Sequence, residues 1–182
     1  MPAINWFNII IFTFTSLTTA SALWIRPNSR YIIAFFAMLL TGYVGDPLQN
    51  YLQPVYALVI MLCFVQKGQI IHTATVSLTA IAFLWGITMI AGSIAVLIEP
   101  SFLQTSAYNI LIGAILIAAS VGIKVTLSVR RISILPENWR SRSFLISLEI
   151  ILMIFFTFIL PRFALHNMRH YAITQLSLMC LL

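Results

Sequence analysis

Residues 73–98 read TATVSLTAIAFLWGITMIAGSIAVLI, with no Asp, Glu, Lys or Arg among them, and the run stops at Glu99-Pro100. A bilayer's hydrocarbon core is about 30 Å thick and takes about 20 helical residues to cross. The stretch is long enough for that, and it lacks the dyad alternation of a barrel strand. It reads as a transmembrane helix, and the rest of the chain repeats its character. The 182 residues are 61% hydrophobic and 8% charged, with a mean hydropathy of +1.02. Soluble domains carry about 25% charged residues. The four acids here, Asp46, Glu99, Glu137 and Glu149, cannot furnish a soluble surface. An ordinary cytosolic enzyme is excluded, and so is a disordered chain, which needs polarity.

Working outward, six more apolar stretches stand at 6–25, 31–45, 51–65, 107–129, 144–160 and 171–182. Arg26-Pro27-Asn28, Asp46-Pro47, Gln66-Lys67-Gly68, Arg130-Arg131 and Pro161-Arg162 separate them. Proline lacks the donor that continues a helix, and charge holds a boundary at the headgroups. The expected fold is all-α: a single polytopic transmembrane helical bundle over 1–182, with six or seven helices. The second and third stretches are short, so they either cross separately or form one re-entrant pair. Five, six or seven crossings are compatible with the pattern, and seven is preferred.

With seven crossings, the loops and flanks of one side hold Arg26, Arg30, Lys67, Lys124, Arg130, Arg131, Arg140 and Arg142, and those of the other hold Arg162 and Arg169. The positive-inside rule then puts the N-terminus outside and Leu182 at the cytoplasm. The net charge of +6 thus reads as basic loops beside anionic lipid. No basic run is interleaved with aromatics, so nucleic acid is not an expected partner. The first helix has no basic segment before it and is expected to stay rather than be cleaved as a signal. The seventh stretch is short and has no polar flank, so the chain is expected to be part of a longer protein. Trp6, Tyr43, Tyr51, Tyr108 and Tyr171 suit interfacial anchors.

Few residues carry chemistry. Charge inside a membrane is a functional hypothesis by default, and Lys124 and Glu149 fall at similar depths in neighbouring stretches. An intramembrane ion pair between them is one expectation; the bland alternative is a snorkelling Lys124 with Glu149 near the interface. Cys63 and His72 share the inner end of the third and fourth stretches, a pairing that can make a thiolate nucleophile. No third group orients them, and Cys63 reads as structural. His166 and His170 have a metal-compatible helical spacing. No Cys, Asp or Glu stands beside them, so no metal and no cofactor is expected. With Arg169 they form a basic outer loop suited to a carboxylate ligand. Two sets of small residues, Ala114, Ala118 and Gly122, and Ala82 and Gly86, suit close helix approach. Thr15, Thr19 and Ala22, with Thr18 and Ser21 nearby, form a stripe that reads as hydrogen bonding between helices, with a polar ligand path as the alternative. There is no phosphate loop, carboxylate pair or nucleophilic triad, so no catalytic residue is assigned.

The order of segments resembles the membrane sensor of accessory-gene-regulator type receptor histidine kinases, which detect peptide pheromones in Gram-positive bacteria. WIRPNSRYIIAFFAMLL carries a basic turn into a short second helix, and Gly45-Asp46-Pro47 forms a brief acidic outer turn. FVQKGQ closes the third helix, and RRISILPENWRSRSF leads into FLISLEIILMIFFTFIL, a polar outer loop and a last helix. The resemblance implies a multi-pass receptor of the bacterial plasma membrane that binds an extracellular peptide. Its last helix would pass the signal to a cytoplasmic kinase domain not present in this chain. The expected partners are that peptide, the lipid bilayer and a second copy of the chain. By topology alone, the outer-loop residues for the ligand are Asp46, Gln49, Glu99, Gln104, His166, Arg169 and His170. A small transporter or substrate-binding subunit, or a structural subunit of a membrane complex, is the competing reading.

Overall fold

The computed structural model describes residues 6–23, 29–45, 52–66, 69–99, 101, 105–130, 138–155 and 168–181. Seven helices account for nearly all of them: α1 (Trp6–Leu23), α2 (Arg30–Gly45), α3 (Leu52–Phe64), α4 (Ile70–Ile98), α5 (Ser106–Arg130), α6 (Trp139–Ile154) and α7 (Met168–Leu181). Each coincides with one apolar stretch of the sequence. Helices α4, α6 and α7 begin three to five residues earlier than hydropathy alone predicts. The Asn138 side chain accepts from the Arg140 backbone N–H at 3.2 Å, satisfying one orphan donor and starting α6 within the basic segment. The turn between α3 and α4 is closed by Gln69 N–H donating to the Gln66 carbonyl at 3.0 Å, so α4 opens at Ile70.

Helices α1 to α4 form an antiparallel four-helix bundle in which each packs against the next and α4 returns to α1. Its core holds Leu17 and Ala20 from α1, Ala34 and Met38 from α2, Tyr56, Ile60 and Phe64 from α3, and Val76, Ala80, Ile81 and Trp85 from α4. Aromatic contacts mark the two ends. Trp6 stacks on Tyr43 with centroids 5.4 Å apart, and Tyr31 meets Phe64 edge-on at 4.8 Å. Helix α2 lies along α1 from the Trp6–Tyr43 stack to the hydrogen bond between Ser21 and Tyr31. Its approach to α3 depends on Gly42, where a Cβ would strike the Tyr56 hydroxyl and come within 2.6 Å of Ile9 Cγ2. Helix α5 packs on α1 and α4 through Leu84, Ile112 and Leu116. Helices α6 and α7 both pack on α4.

Polarity is inverted relative to a soluble bundle. Ile32, Ile33, Phe36 and Leu40 of α2, and Ile110, Val121 and Val125 of α5, face outward, whereas Thr13, Thr15, Ser16, Thr19, Thr73, Thr75 and Ser77 are buried. Three helices, Trp6–Leu23, Ile70–Ile98 and Ser106–Ser128, are long and apolar enough to cross a membrane. Apolar surface outside and hydroxyls inside is what lipid demands, and the chain is a membrane protein.

The buried hydroxyls correct the reading of the Thr stripe in part. Thr15 Oγ1 donates to the Ile11 carbonyl at 2.8 Å, Ser16 Oγ to Phe12 at 2.6 Å and Thr19 Oγ1 to Thr15 at 2.9 Å. These three are satisfied within α1, by the back-bonding to the preceding turn that such residues favour in helices, whereas Ser21 also reaches the Tyr31 hydroxyl on α2, so the expected bonding between helices holds there. The small-residue seams are corrected in part, since Ala82 packs against the core cluster. Ala114, Ala118 and Gly122 lie on the exposed side of α5, and a Cβ on Gly86 or Gly122 would meet nothing within 4 Å. Besides Gly42, the tight position is Gly113, where a Cβ would come within 2.7 Å of Ile11 Cδ1.

Candidate functional site

Among the described residues, polar side-chain pairs bridge helices inside the bundle, including Ser21 of α1 with Tyr31 of α2. Asn8 Nδ2 donates to Asn109 Oδ1 at 3.1 Å, pinning the start of α5 to the start of α1. The two helices run parallel and in register, since Gly113 meets Phe7 and Ile11 one turn further along. Thr79 Oγ1 donates to Glu149 Oε1 at 2.8 Å, joining α4 to α6. Ser93 Oγ donates to Gln175 Oε1 at 3.0 Å, joining α4 to α7. Helix α4 thus supplies a hydroxyl to each of the two outer helices.

The α4–α6 seam is the candidate site. Glu149 is 8% exposed, and its Oε2 has no hydrogen-bond partner. A carboxyl group buried in an apolar bundle is costly unless it is paired, and Thr79 provides one bond where two oxygens ask for more. Two helical turns back along each helix stand His72 on α4 and Arg142 on α6, so they share the seam. The Arg142 charge acts on His72. The arrangement is a polar track with a basic mouth and a carboxyl at its inner end. Its groups can hold and exchange a proton or orient a small cation.

The Lys124–Glu149 ion pair does not form. Glu149 is taken by Thr79 on α4, while Lys124 faces a cleft lined by α1 and α2. Shared depth in the bundle did not mean shared azimuth, because α5 packs chiefly on α1 and α6 on α4. Cys63 is a free, partly buried thiol packed against the core cluster.

Of the outer-loop residues assigned to a ligand, Glu99 has a described side chain. It is exposed just beyond α4 and accepts from Ser101 Oγ at 2.5 Å. This is the bundle end that also carries the start of α5, since a Cβ on Gly92 would lie 3.3 Å from the Tyr108 hydroxyl. Asp46, Gln49, Gln104 and His166 lie outside the described residues, and Arg169 and His170 belong to the first turn of α7. Sequence reasoning missed the partners of Glu149, Gln175 and Asn109. The available signal was a lone polar residue in an otherwise apolar helix, which in lipid seeks a polar partner. No protein-family model, curated protein or solved structure matches the chain.

Proposed function

We propose that the chain is the membrane sensor module of a multi-pass receptor in the bacterial plasma membrane, with its N-terminus outside. It binds an extracellular peptide at the bundle end that carries Glu99 and passes the signal through α7 to a cytoplasmic kinase. The observation that carries this reading is the position of α4. This one helix packs against α1, α3, α5, α6 and α7, and its Ser93 bonds Gln175 of the last helix. A ligand that favours one packing of α4 at the outer end biases α7 by population shift. The segment order that resembles peptide-pheromone sensors supports the same reading, as does the charge asymmetry between loops. The test is to read the gene in frame past the codon for Leu182. A helical linker followed by an ATP-binding domain is expected, and a stop codon directly after Leu182 refutes the sensor reading.

A second reading is favoured by the unpartnered oxygen of Glu149: a small carrier whose substrate or coupling ion engages the α4–α6 seam. Specific uptake by the chain alone in proteoliposomes, lost in Glu149→Gln, distinguishes it from a sensor.

A further inference from the structure

Away from the α4–α6 seam, a cleft of about 590 Å³ lies between α1, α2 and α5. That volume is within the range of pockets that bury a small ligand, about 300–1,000 Å³. Its chemistry is graded along its length. Phe14 and Leu17 of α1 and Phe35 and Phe36 of α2 line one part, and Ser21, Tyr31 and Lys124 line the other. The grading follows from helix direction. Helix α1 runs from Phe14 down to Ser21, α2 starts antiparallel to it at Tyr31, and α5 runs parallel to α1 and arrives with Lys124. Phe14, Ile32 and Phe36 are more exposed than buried, so the cleft opens sideways from the bundle, toward lipid rather than water.

We propose that this cleft is a binding site for one anionic phospholipid of the leaflet at the basic end. An acyl chain lies against Phe14, Leu17, Phe35 and Phe36, and the phosphodiester sits on the Lys124 ammonium, beside the Ser21 and Tyr31 hydroxyls that bond each other. Charge complementarity selects this occupant. Lys124 is the charged side chain of the cleft, and the carboxylates among the described residues are held elsewhere, Glu99 by Ser101 and Glu149 by Thr79. A compact ammonium suits a phosphate as a point charge. The site stands apart from the ligand end invoked for sensing and does not depend on that reading.

The test is native mass spectrometry of the intact chain released from detergent micelles. The micelles are doped with dioleoyl phosphatidylglycerol or, separately, dioleoyl phosphatidylcholine. The wild-type chain is expected to retain one phosphatidylglycerol about five-fold more than phosphatidylcholine, the ratio for a lysine worth ~1 kcal/mol at an anionic surface. Lys124→Gln removes the preference, and Lys124→Arg keeps it. Thr18→Trp, which fills the cleft and leaves the charge, lowers retention of both lipids. Arg140→Gln, which removes an equal charge outside the cleft, leaves the preference intact, and excess glycerol phosphate does not compete. Equal retention of the two lipids by the wild type overturns the proposal. So does a Lys124→Gln chain that keeps the preference, or an Arg140→Gln chain that loses it equally, which would mean diffuse surface charge. Displacement by glycerol phosphate would mean a headgroup site without a chain site, and also overturns it.

Discussion

Gly42→Ala is the sharpest test of how the four-helix core is packed. In a helix interior, alanine is favoured over glycine by about 0.8–1.0 kcal/mol, so with open space around it the substitution stabilises. Gly42 has no such space. The new methyl would press on the Tyr56 hydroxyl and come within 2.6 Å of Ile9 Cγ2. The hydroxyl is the far end of a side chain, but Cγ2 sits on a β-branched carbon with little freedom to turn. Overpacking of this kind costs about 1–3 kcal/mol. Gly86→Ala is the matched control, because nothing lies within 4 Å of its Cβ. Helix propensity cancels between the two variants, and the overpacking cost remains. For a chain of this size about 1 kcal/mol moves the midpoint by about 2–4 °C. Thermal unfolding of the purified chain in mild detergent, followed by far-ultraviolet circular dichroism, should therefore place Gly42→Ala about 5 °C below Gly86→Ala. A Tyr56→Phe background, which removes one of the two clashing atoms, should narrow the gap. Equal midpoints for the two glycine variants would refute the close approach of α2 to α1 and α3 at this position.

Thr79→Val keeps the volume of the side chain and removes the donor to Glu149. It should destabilise the chain by about 1–3 kcal/mol in the same melts, the cost of stranding a buried polar group. Glu149→Met in the Thr79→Val background should recover most of that, and a double variant no more stable than Thr79→Val refutes the pairing. A double-mutant cycle on Asn8 and Asn109, each changed to Ala, should give a coupling of about 0.6 kcal/mol, the mean for polar pairs in membrane helices; a coupling of zero means that α1 and α5 are not joined there. Single cysteines replacing Gln104 or His166 should label from outside intact cells, and those replacing Lys67 or Ser133 only after permeabilisation. The reverse pattern refutes the orientation.

The order and extent of the helices were legible in the sequence because their stops are written in residues with a physical effect. Pro27, Pro47, Lys67, Pro100 and Arg131 each follow an apolar run, and a described helix ends shortly before each. Which faces meet was not legible. Helix α4 is apolar all round and so points no apolar stripe at a partner. Depth in a membrane is one coordinate and azimuth is another, and hydropathy reports the first. The pairing of Lys124 with Glu149 was argued from depth and failed on azimuth. The Thr stripe of α1 divides, with Thr15 and Thr19 bonded to the preceding turn and Ser21 also reaching Tyr31 of α2, because a hydroxyl has a local and a long-range route and the sequence does not tell one from the other. Gly42 and Gly113 carry the close approaches, while the more regular Ala114, Ala118 and Gly122 spacing faces outward; spacing alone did not separate them.

Helix α4, with 29 residues, packs directly against α3, with 13. At 1.5 Å per residue these are rods of about 44 Å and about 20 Å, set beside a hydrocarbon layer of about 30 Å. One is too long for the layer and the other too short, on adjoining flanks of the same molecule. Helix α4 is long and apolar enough to cross, and a helix longer than the layer is accommodated by tilting, at a fraction of a kcal/mol per Å of mismatch. The preferred angle of α4, and with it the position of every helix leaning on it, is therefore set partly by acyl-chain length. The same chain should rest in different tilts in thin and thick bilayers.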